Sequence, residues 1–230
     1  MKLMQPEKGF RYTSDSLFLY DFITRFHPKG RVLDVGCGCG VVGLLIARDF
    51  PIKLTAIDKQ PLFVKIARAN AELNGIDAEV IEGDFLEHAP EALFDMIVSN
   101  PPYYDAKIAQ SPDPIIATAR YNNHLPIHPF LQKASSMLAH HGELIICYDP
   151  GQLPLLFEAF SQTHLRPIDM ATLYPKEGKP ASLVMIRAKK FSRAKLRIHP
   201  PLIVNGPDGA TPEAKRVYKK AATESLVWSE

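Results

Sequence analysis

The sequence predicts an α/β fold, a doubly wound, Rossmann-like sheet of seven strands that is mostly parallel and ends in an antiparallel C-terminal hairpin. Three observations lead there. Short apolar runs alternate with amphipathic runs at helical spacing, as in βαβ units. A glycine-rich turn joins the first buried strand to its helix. Only residues 175–181 separate the last two apolar runs, too few for a crossover helix, so those strands must pair antiparallel.

Leu17, Phe18, Tyr20, Phe22, Ile23 and Phe26 recur at helical spacing over residues 15–26, with Thr13, Ser14 and Asp15 as N-caps, so a leading helix opens the chain. Residues 31–35 form a short buried strand, broken by Gly36, Gly38 and Gly40 and followed by a helix over 41–50. A second unit runs from strand 54–58 into helix 61–75, where Pro61 suits a first turn and Gly75 a C-cap. Strands follow at 78–81 and 95–99, then helix 129–138, strand 143–148, helix 153–163, and strands near 168–174 and 182–188. The organisation expected is one domain over residues 1–190 with residues 191–230 as a basic extension packed on it.

Composition narrows the function. The 230 residues are 46% hydrophobic, enough for a sizeable core, and 27 Lys+Arg against 25 Asp+Glu give a net charge of +2, unlike a wholly basic nucleic-acid binder. The three cysteines, two of them in Cys37-Gly38-Cys39, cannot make a disulfide framework, which points to a reduced, cytoplasmic setting. No signal-peptide core opens the sequence, and the longest uncharged apolar run, residues 41–47, falls far short of the roughly 20 residues that cross a bilayer, so no membrane partner is expected. A monomer is the working assumption.

Asp34-Val35-Gly36-Cys37-Gly38-Cys39-Gly40 ends a strand and opens a helix, so backbone amides face a ligand at the carboxyl ends of the strands. Gly38-Cys39-Gly40-Val41-Val42-Gly43 also matches G-x-G-x-x-G, with Asp58 twenty positions after Gly38, which keeps an NAD-binding oxidoreductase as a rival. Two features favour S-adenosylmethionine. Asp34 before the glycines suits an ammonium and a sulfonium but repels a pyrophosphate. Asp84, after the third strand, can accept from an adenine amino group while Phe85 packs on its ring; Asp58 accepts from both ribose hydroxyls. Cys37 and Cys39 read as small loop fillers. His124 and His128 read as loop histidines, since no cysteine or carboxylate stands at ligand spacing, and no metal is expected.

At Asn100-Pro101-Pro102-Tyr103, directly after strand 95–99, the chain resembles class I methyltransferases that alkylate planar amide or amino nitrogens. Such a nitrogen is a poor nucleophile because its lone pair is delocalised. Acceptance of one amino hydrogen each by Asn100 Oδ1 and the Pro101 carbonyl draws it toward tetrahedral geometry and stabilises the developing positive charge. Pro101 and Pro102 stiffen the turn, and Tyr103 offers a stacking face for the base, worth roughly 1–3 kcal/mol. Asn100 also borders the cofactor.

Gly9-Phe10-Arg11-Tyr12-Thr13-Ser14-Asp15-Ser16 is similar to the start of bacterial adenine-N6 methyltransferases that modify the adenine 3′ of the anticodon in a valine tRNA. The resemblance spans nearly the whole chain, including Leu202-Ile203-Val204 and residues 208–218. It implies that Thr13, Ser14 and Asp15 close over the methionine end of S-adenosylmethionine. Where it implies an Arg-His-Glu stretch, this chain keeps Arg120 for a phosphate or lid contact and continues Tyr121-Asn122. Glutamine methyltransferases acting on release factors share Asn-Pro-Pro-Tyr, but likeness to them calls for a helical region before the glycine loop, and 33 residues precede Asp34 here.

The charge is unevenly spread. From Lys176 onward twelve basic residues face five acidic ones, +7, which leaves −5 for the rest. Lys189, Lys190, Arg193, Lys195 and Arg197 around Phe191 fit a groove that tracks an RNA backbone. Twenty prolines, several of them in residues 101–129, suit an ordered wall or lid on the substrate side. The reading is an S-adenosylmethionine-dependent adenine-N6 methyltransferase acting on an unstacked base in RNA, best matched by tRNA next to the anticodon. Its rivals are methylation of a protein glutamine or of guanine N2 in rRNA, the NAD enzyme, and a non-catalytic RNA-binding module.

Overall fold

The computed structural model describes residues 1–7, 11–101 and 125–228. Pro102, Tyr103 and Arg120, and with them most of the proline-rich segment, lie outside the described residues.

The expected seven-stranded sheet is present, in the order β4-β3-β2-β5-β6-β8-β7: Gly30–Val35 (β2), Ile52–Asp58 (β3), Ala78–Glu82 (β4), Phe94–Ser99 (β5), Leu138–Tyr148 (β6), Leu165–Lys176 (β7) and Leu183–Lys190 (β8). Every pair from β4 to β6 is parallel, and β8 runs antiparallel to both β6 and β7, so the closing hairpin is as the short connection requires. Successive residues serve opposite faces. Val32, Leu54, Met96, Val98, Ile145 and Met185 face one apolar cluster, whereas Leu33, Ile57, Ile97, Leu144, Ile146 and Val184 face the other. A sheet covered on both sides needs such continuous apolar runs, which is why the strands stand out in the sequence.

Helices Ser14–Thr24 (α1), Val41–Asp49 (α2) and Pro61–Leu73 (α3) follow their predicted positions within two residues. Ile127–Met137 (α4) starts earlier than residue 129, since Pro126 forms its N-cap and Pro129 sits in a first turn that needs no amide hydrogen. Leu153–Ser161 (α5) leads into β7.

The tail adds what the alternation does not reveal. Arg197–Ile198 (β9) and Leu202–Gly206 (β10) run parallel to β7 along its free edge, and Gly209–Ala210 (β11) turns back on β10, making ten strands. Pro212–Ala221 (α6) packs on α1 through Val217, Ala214 and Ala221. Glu224–Trp228 (β12) then pairs in parallel with Lys2–Pro6 (β1), joining the two ends of the chain in a separate two-stranded sheet. Asn70 on α3 and Asn74 at its C-cap hold β1 as a neighbouring strand holds its partner. Asn70 bonds the amide and carbonyl of Met4 at 2.7 and 3.0 Å, and Asn74 those of Lys2 at 3.1 and 2.7 Å.

Much of the tail's positive charge is used to dock it. Fully buried Asp169 on β7 takes Arg187 at 2.9 Å, Arg197 at 2.9 Å and His199 at 2.8 Å. Buried Asp21 on α1 takes Arg216 and Lys220 of α6 together with Arg25; burial alone raises its carboxyl, but these cations hold it below the usual range. The picture of a groove lined by all five basic residues changes accordingly. Lys189 is paired with Glu143, Lys190 Nζ donates to the Leu138 carbonyl at 2.7 Å, and Arg197 is held by Asp169, while Arg193 and Lys195 are exposed.

Gly43 lets α2 close on β2. A Cβ there meets Asp34 Oδ2 at 2.9 Å, Leu54 Cδ1 at 3.0 Å and Asp34 Cβ at 3.1 Å, all in packed side chains. Gly43→Ala is expected to destabilise by about 1–2 kcal/mol, overpacking outweighing alanine's better helix propensity, as a lower midpoint in thermal denaturation. A midpoint at or above the wild-type value overturns that account.

Candidate functional site

Carboxyl ends of the parallel strands and the turns after them enclose one cavity, lined by Asp34, Gly36, Cys37, Gly38 and Cys39 from the first βα turn, Asp58, Lys59 and Gln60 from the second, Gly83, Asp84 and Phe85 after β4, and Asn100 after β5. The glycine turn is built for close approach. Gly36, Gly38 and Gly40 all have positive φ, and a Cβ on Gly36 or Gly38 meets nothing within 4 Å because it points into open space.

The aspartates ending β2 and β3 brace this turn as well as face the cavity. Asp34 is 2% exposed, and its Oδ2 accepts from the Gly43 amide at 2.8 Å, capping the first turn of α2. Burial, with a lesser push from the nearby Asp58 charge, raises the Asp34 carboxyl to about 7 against the opposing Gly43 hydrogen bond. Asp58 accepts from the Gly38 amide through Oδ2 and from the Gln60 amide through Oδ1, both at 2.9 Å, and burial raises its carboxyl too. Asp84 Oδ1 takes the Leu86 amide at 2.9 Å. Phe85 lines the cavity and packs its ring against Phe130 at 5.4 Å, so it belongs to core and site together.

A carboxylate at the start of α2 decides between the two glycine patterns. A pyrophosphate needs the free amides and the positive dipole end there, whereas Asp34 already spends one of those amides and presents a buried acid. Gly43, the third glycine of the dinucleotide pattern, serves that cap and the close packing. The cavity suits a ligand with cationic and sugar groups: an acid for the cation, a second acid at the next strand end for hydroxyls, and a third beside an aromatic ring for a heterocycle.

Asn100 is held from both ends of its amide. Oδ1 accepts from the Cys147 thiol at 2.9 Å, and Nδ2 donates to Ser16 Oγ at 3.4 Å. Burial and the Asp15 charge push the Cys147 thiol well up, so it keeps its proton and can only donate usefully. Ser99 Oγ donates to the Val35 carbonyl at 2.8 Å, tying the turn after β5 to the glycine turn. Pro101 is buried beside Asn100.

Of the N-terminal residues, those that reach the cavity are not the three expected there. Thr13 caps α1 by accepting from the Asp15 amide, Ser14 starts that helix, and the cavity wall here is made by Tyr12 and Ser16. Tyr12 is fixed by its amide to Gln5 and its hydroxyl to Ser225, through the β1–β12 sheet. Sequence reasoning missed Tyr12, Ser16, Cys147 and Leu125, the last also lining the cavity. Ser16 carries a signal, being one helical turn past the Thr13 cap and on the buried face; Cys147 carries none, because it reads as an ordinary strand residue.

Comparison with known proteins agrees with this geometry. The family model for the methyltransferase small domain matches residues 13–165. The tRNA1(Val) (adenine(37)-N6)-methyltransferase of Porphyromonas gingivalis is 33% identical over 167 residues, 66% of this chain and 65% of that protein. Ribosomal RNA small subunit methyltransferase C of Pseudomonas paraeruginosa is 36% identical over 118 residues, 51% of this chain and 31% of its own. The chain therefore spans less than two thirds of the length of these relatives. Among solved structures, a predicted O-methyltransferase of Agrobacterium tumefaciens superposes with a TM-score of 0.71 at 20% identity, over 92% of this chain and 98% of that one. The T. thermophilus 16S rRNA N2 G1207 methyltransferase in complex with AdoMet and guanosine has a similar fold, with a TM-score of 0.56 at 24% identity, over 78% of this chain and 44% of that one.

Because Asp34 titrates higher when folded, its contribution to stability is full below the ordinary carboxylate range and is lost as pH rises through about 7. Asp34→Asn, neutral at every pH, is expected to exceed the wild type in melting temperature by more at pH 8 than at pH 5, since the loss builds from the ordinary carboxylate range up to about 7. A difference that does not grow with pH sinks the buried-charge explanation.

Proposed function

This chain belongs to the methyltransferase small domain family, and from that membership we propose that it transfers the methyl group of S-adenosylmethionine to N6 of an unstacked adenine in RNA, in a tRNA next to the anticodon. The observation that carries the reading is Asn100 after β5, its amide orientation held by Cys147 and Ser16 at the wall of the cavity. The tRNA relative, matched over two thirds of this chain, supports adenine-N6 and tRNA over the other substrates.

Bound S-adenosylmethionine supplies an electrophilic methyl on a sulfonium. The residues fit it: Gly36 and Gly38 leave open the space a Cβ would fill, Asp34 offers a buried acid to positive charge, and Asp58 and Asp84 supply acceptors for sugar and base. A cationic ligand favours ionised Asp34, so cofactor binding is expected to tighten as pH rises through about 7. Thr13, Ser14 and Asp15 are proposed to act on the methionine end through α1, whose Ser16 reaches Asn100.

On the substrate side Asn100 Oδ1 keeps a second lone pair after accepting from Cys147, and the Pro101 carbonyl is the second acceptor. Together they hold the amino hydrogens and leave the nitrogen lone pair directed at the methyl group. Rigid alignment of this kind carries most of the rate enhancement, since no side chain needs to remove a proton first. Pro102 and Tyr103 are assigned the stiffening and stacking roles, Arg120 a phosphate contact, and residues 191–230 are taken as an extension of the same domain, supported by the pairing of β9 and β10 with β7. Exposed Arg193 and Lys195 are the tail residues best placed for RNA, with Lys189, Lys190 and Arg197 adding field from paired positions.

The same two acceptors can hold any planar amino group, and the relatives acting on rRNA favour guanine N2 as the second reading. Transfer of a labelled methyl group to unfractionated tRNA and to ribosomal subunits, followed by mass analysis of nucleosides, separates them. N6-methyladenosine in tRNA is the expected product; N2-methylguanosine alone, or label in neither RNA, overturns the adenine reading. Asn100→Ala is expected to lower kcat at least a hundred-fold with cofactor affinity retained.

Cys147→Ala is expected to lower kcat roughly ten-fold at unchanged cofactor affinity by freeing the Asn100 amide, and Cys147→Ser to restore most of it. Equal loss in both variants contradicts a positioning role for the thiol.

A further inference from the structure

At the opposite end of the sheet from the glycine turn, Phe191 follows the last residue of β8, where Lys189 pairs with Glu143 and Glu143 with Met96 near the start of β5. Four residue rows and two strand spacings put Lys189 roughly 16 Å from Asn100, and Phe191 lies beyond it. Phe191 is unusual in two independent ways. It is 44% exposed, and its backbone is left-handed, φ +56°, a conformation that costs a bulky residue energy and is retained where the surroundings enforce it. The enforcing contacts are visible. Its amide donates to the His164 carbonyl at 2.9 Å, and its ring packs against the imidazoles of His164 and His140, centroids 4.7 and 5.2 Å away and planes tilted by 37° and 30°. Lys190 Nζ, tethered to the Leu138 carbonyl, stands 5.6 Å from the ring centroid.

Beside this aromatic array an open groove runs between the end of α5 and the start of β7, walled by Phe157, Phe160, Thr163, Arg166 and Arg193, with no acidic side chain among its lining residues. Phe157 is 37% exposed, and Arg166 and Arg193 are both exposed. Partly exposed aromatic residues beside guanidinium groups, with no acid lining the groove, match single-stranded nucleic acid, whose bases stack on any aromatic ring and whose phosphates need cations.

We propose that this groove is a second RNA-binding site, distinct from the methyl-transfer cavity, in which an unpaired base stacks on Phe191 and adjacent phosphates meet Arg166 and Arg193. It rests on the RNA reading above and deepens it: the two sites together select an RNA of several nucleotides, since one nucleotide cannot reach both.

The test uses the full chain, a fluorescein-labelled 12-nucleotide single-stranded RNA and unfractionated bacterial tRNA, with affinity read by anisotropy across a salt series. Phe191→Leu keeps the apolar bulk without a stacking face and is expected to weaken binding roughly ten-fold. Arg166→Gln with Arg193→Gln is expected to flatten the slope of log affinity against log salt by about 1.4, two single-strand phosphate contacts. Melting temperature and S-adenosylmethionine affinity by calorimetry are expected to stay at wild-type values, which shows that the fold and first site are intact. Wild-type affinity and slope in both variants overturn the second site alone. A wild-type chain that binds and methylates no RNA overturns the RNA reading and the site with it. Self-association of the wild type at micromolar concentration that Phe191→Leu abolishes assigns the patch to a second copy of the chain and also overturns the proposal.

Discussion

The carboxylate of Asp34 is buried at the end of β2, and the glycine turn, the start of α2 and the wall of the cavity all depend on where it sits. One oxygen closes the first turn of α2 through the Gly43 amide, which requires that position 43 carry no side chain. The arrangement is unfavourable to the empty protein, because an acid raised to about 7 is held in a place that resists its charge. It favours a ligand that brings positive charge of its own. Strain of this kind at a site is a reserve that binding releases, and here it also excludes the pyrophosphate for which the same glycine spacing is otherwise suited.

Three elements distant in sequence meet at Asn100. Ser16 comes from the first turns of α1, Cys147 from the end of β6 and Asn100 from the turn after β5, while Ser99 ties that turn back to β2. An amide side chain has two chemically different ends, and only one can accept the hydrogens of a substrate amino group. A donor on one side and an acceptor on the other fix which end faces where. The proposed catalysis by alignment depends on such fixing, since an amide free to flip would spend part of its time with the wrong end toward the substrate.

Charge along the chain has a structural use before any functional one. The basic C-terminal quarter and the acidic body meet at Asp21, Asp169 and Glu143, three acids of low exposure that receive Arg187, Lys189, Arg197, Arg216 and Lys220. A buried acid without these partners is costly, so the tail completes the body electrostatically while β10 and α6 complete it by packing. Exposed basic residues still remain for a polyanion, among them Arg166 and Arg193, which line one groove with the half-exposed Phe191.

By itself the sequence determined the seven-stranded sheet, its closing hairpin and the strand ends that carry Asp34, Asp58, Asp84 and Asn100. These are local properties: strands buried on both faces are continuous apolar runs, and turns with positive φ are marked by Gly36, Gly38 and Gly40. Only the tertiary structure decided the rest. Pairing of β1 with β12, the strands added to β7, the second face of Asn100 and the docking role of the basic residues all join positions from 18 to more than 200 residues apart. Period and composition report on a residue's near neighbours, whereas a thiol facing an amide or an arginine facing a buried aspartate is set by how whole elements pack, and nothing in the local pattern distinguishes Cys147 or Arg197 from an ordinary strand or surface residue.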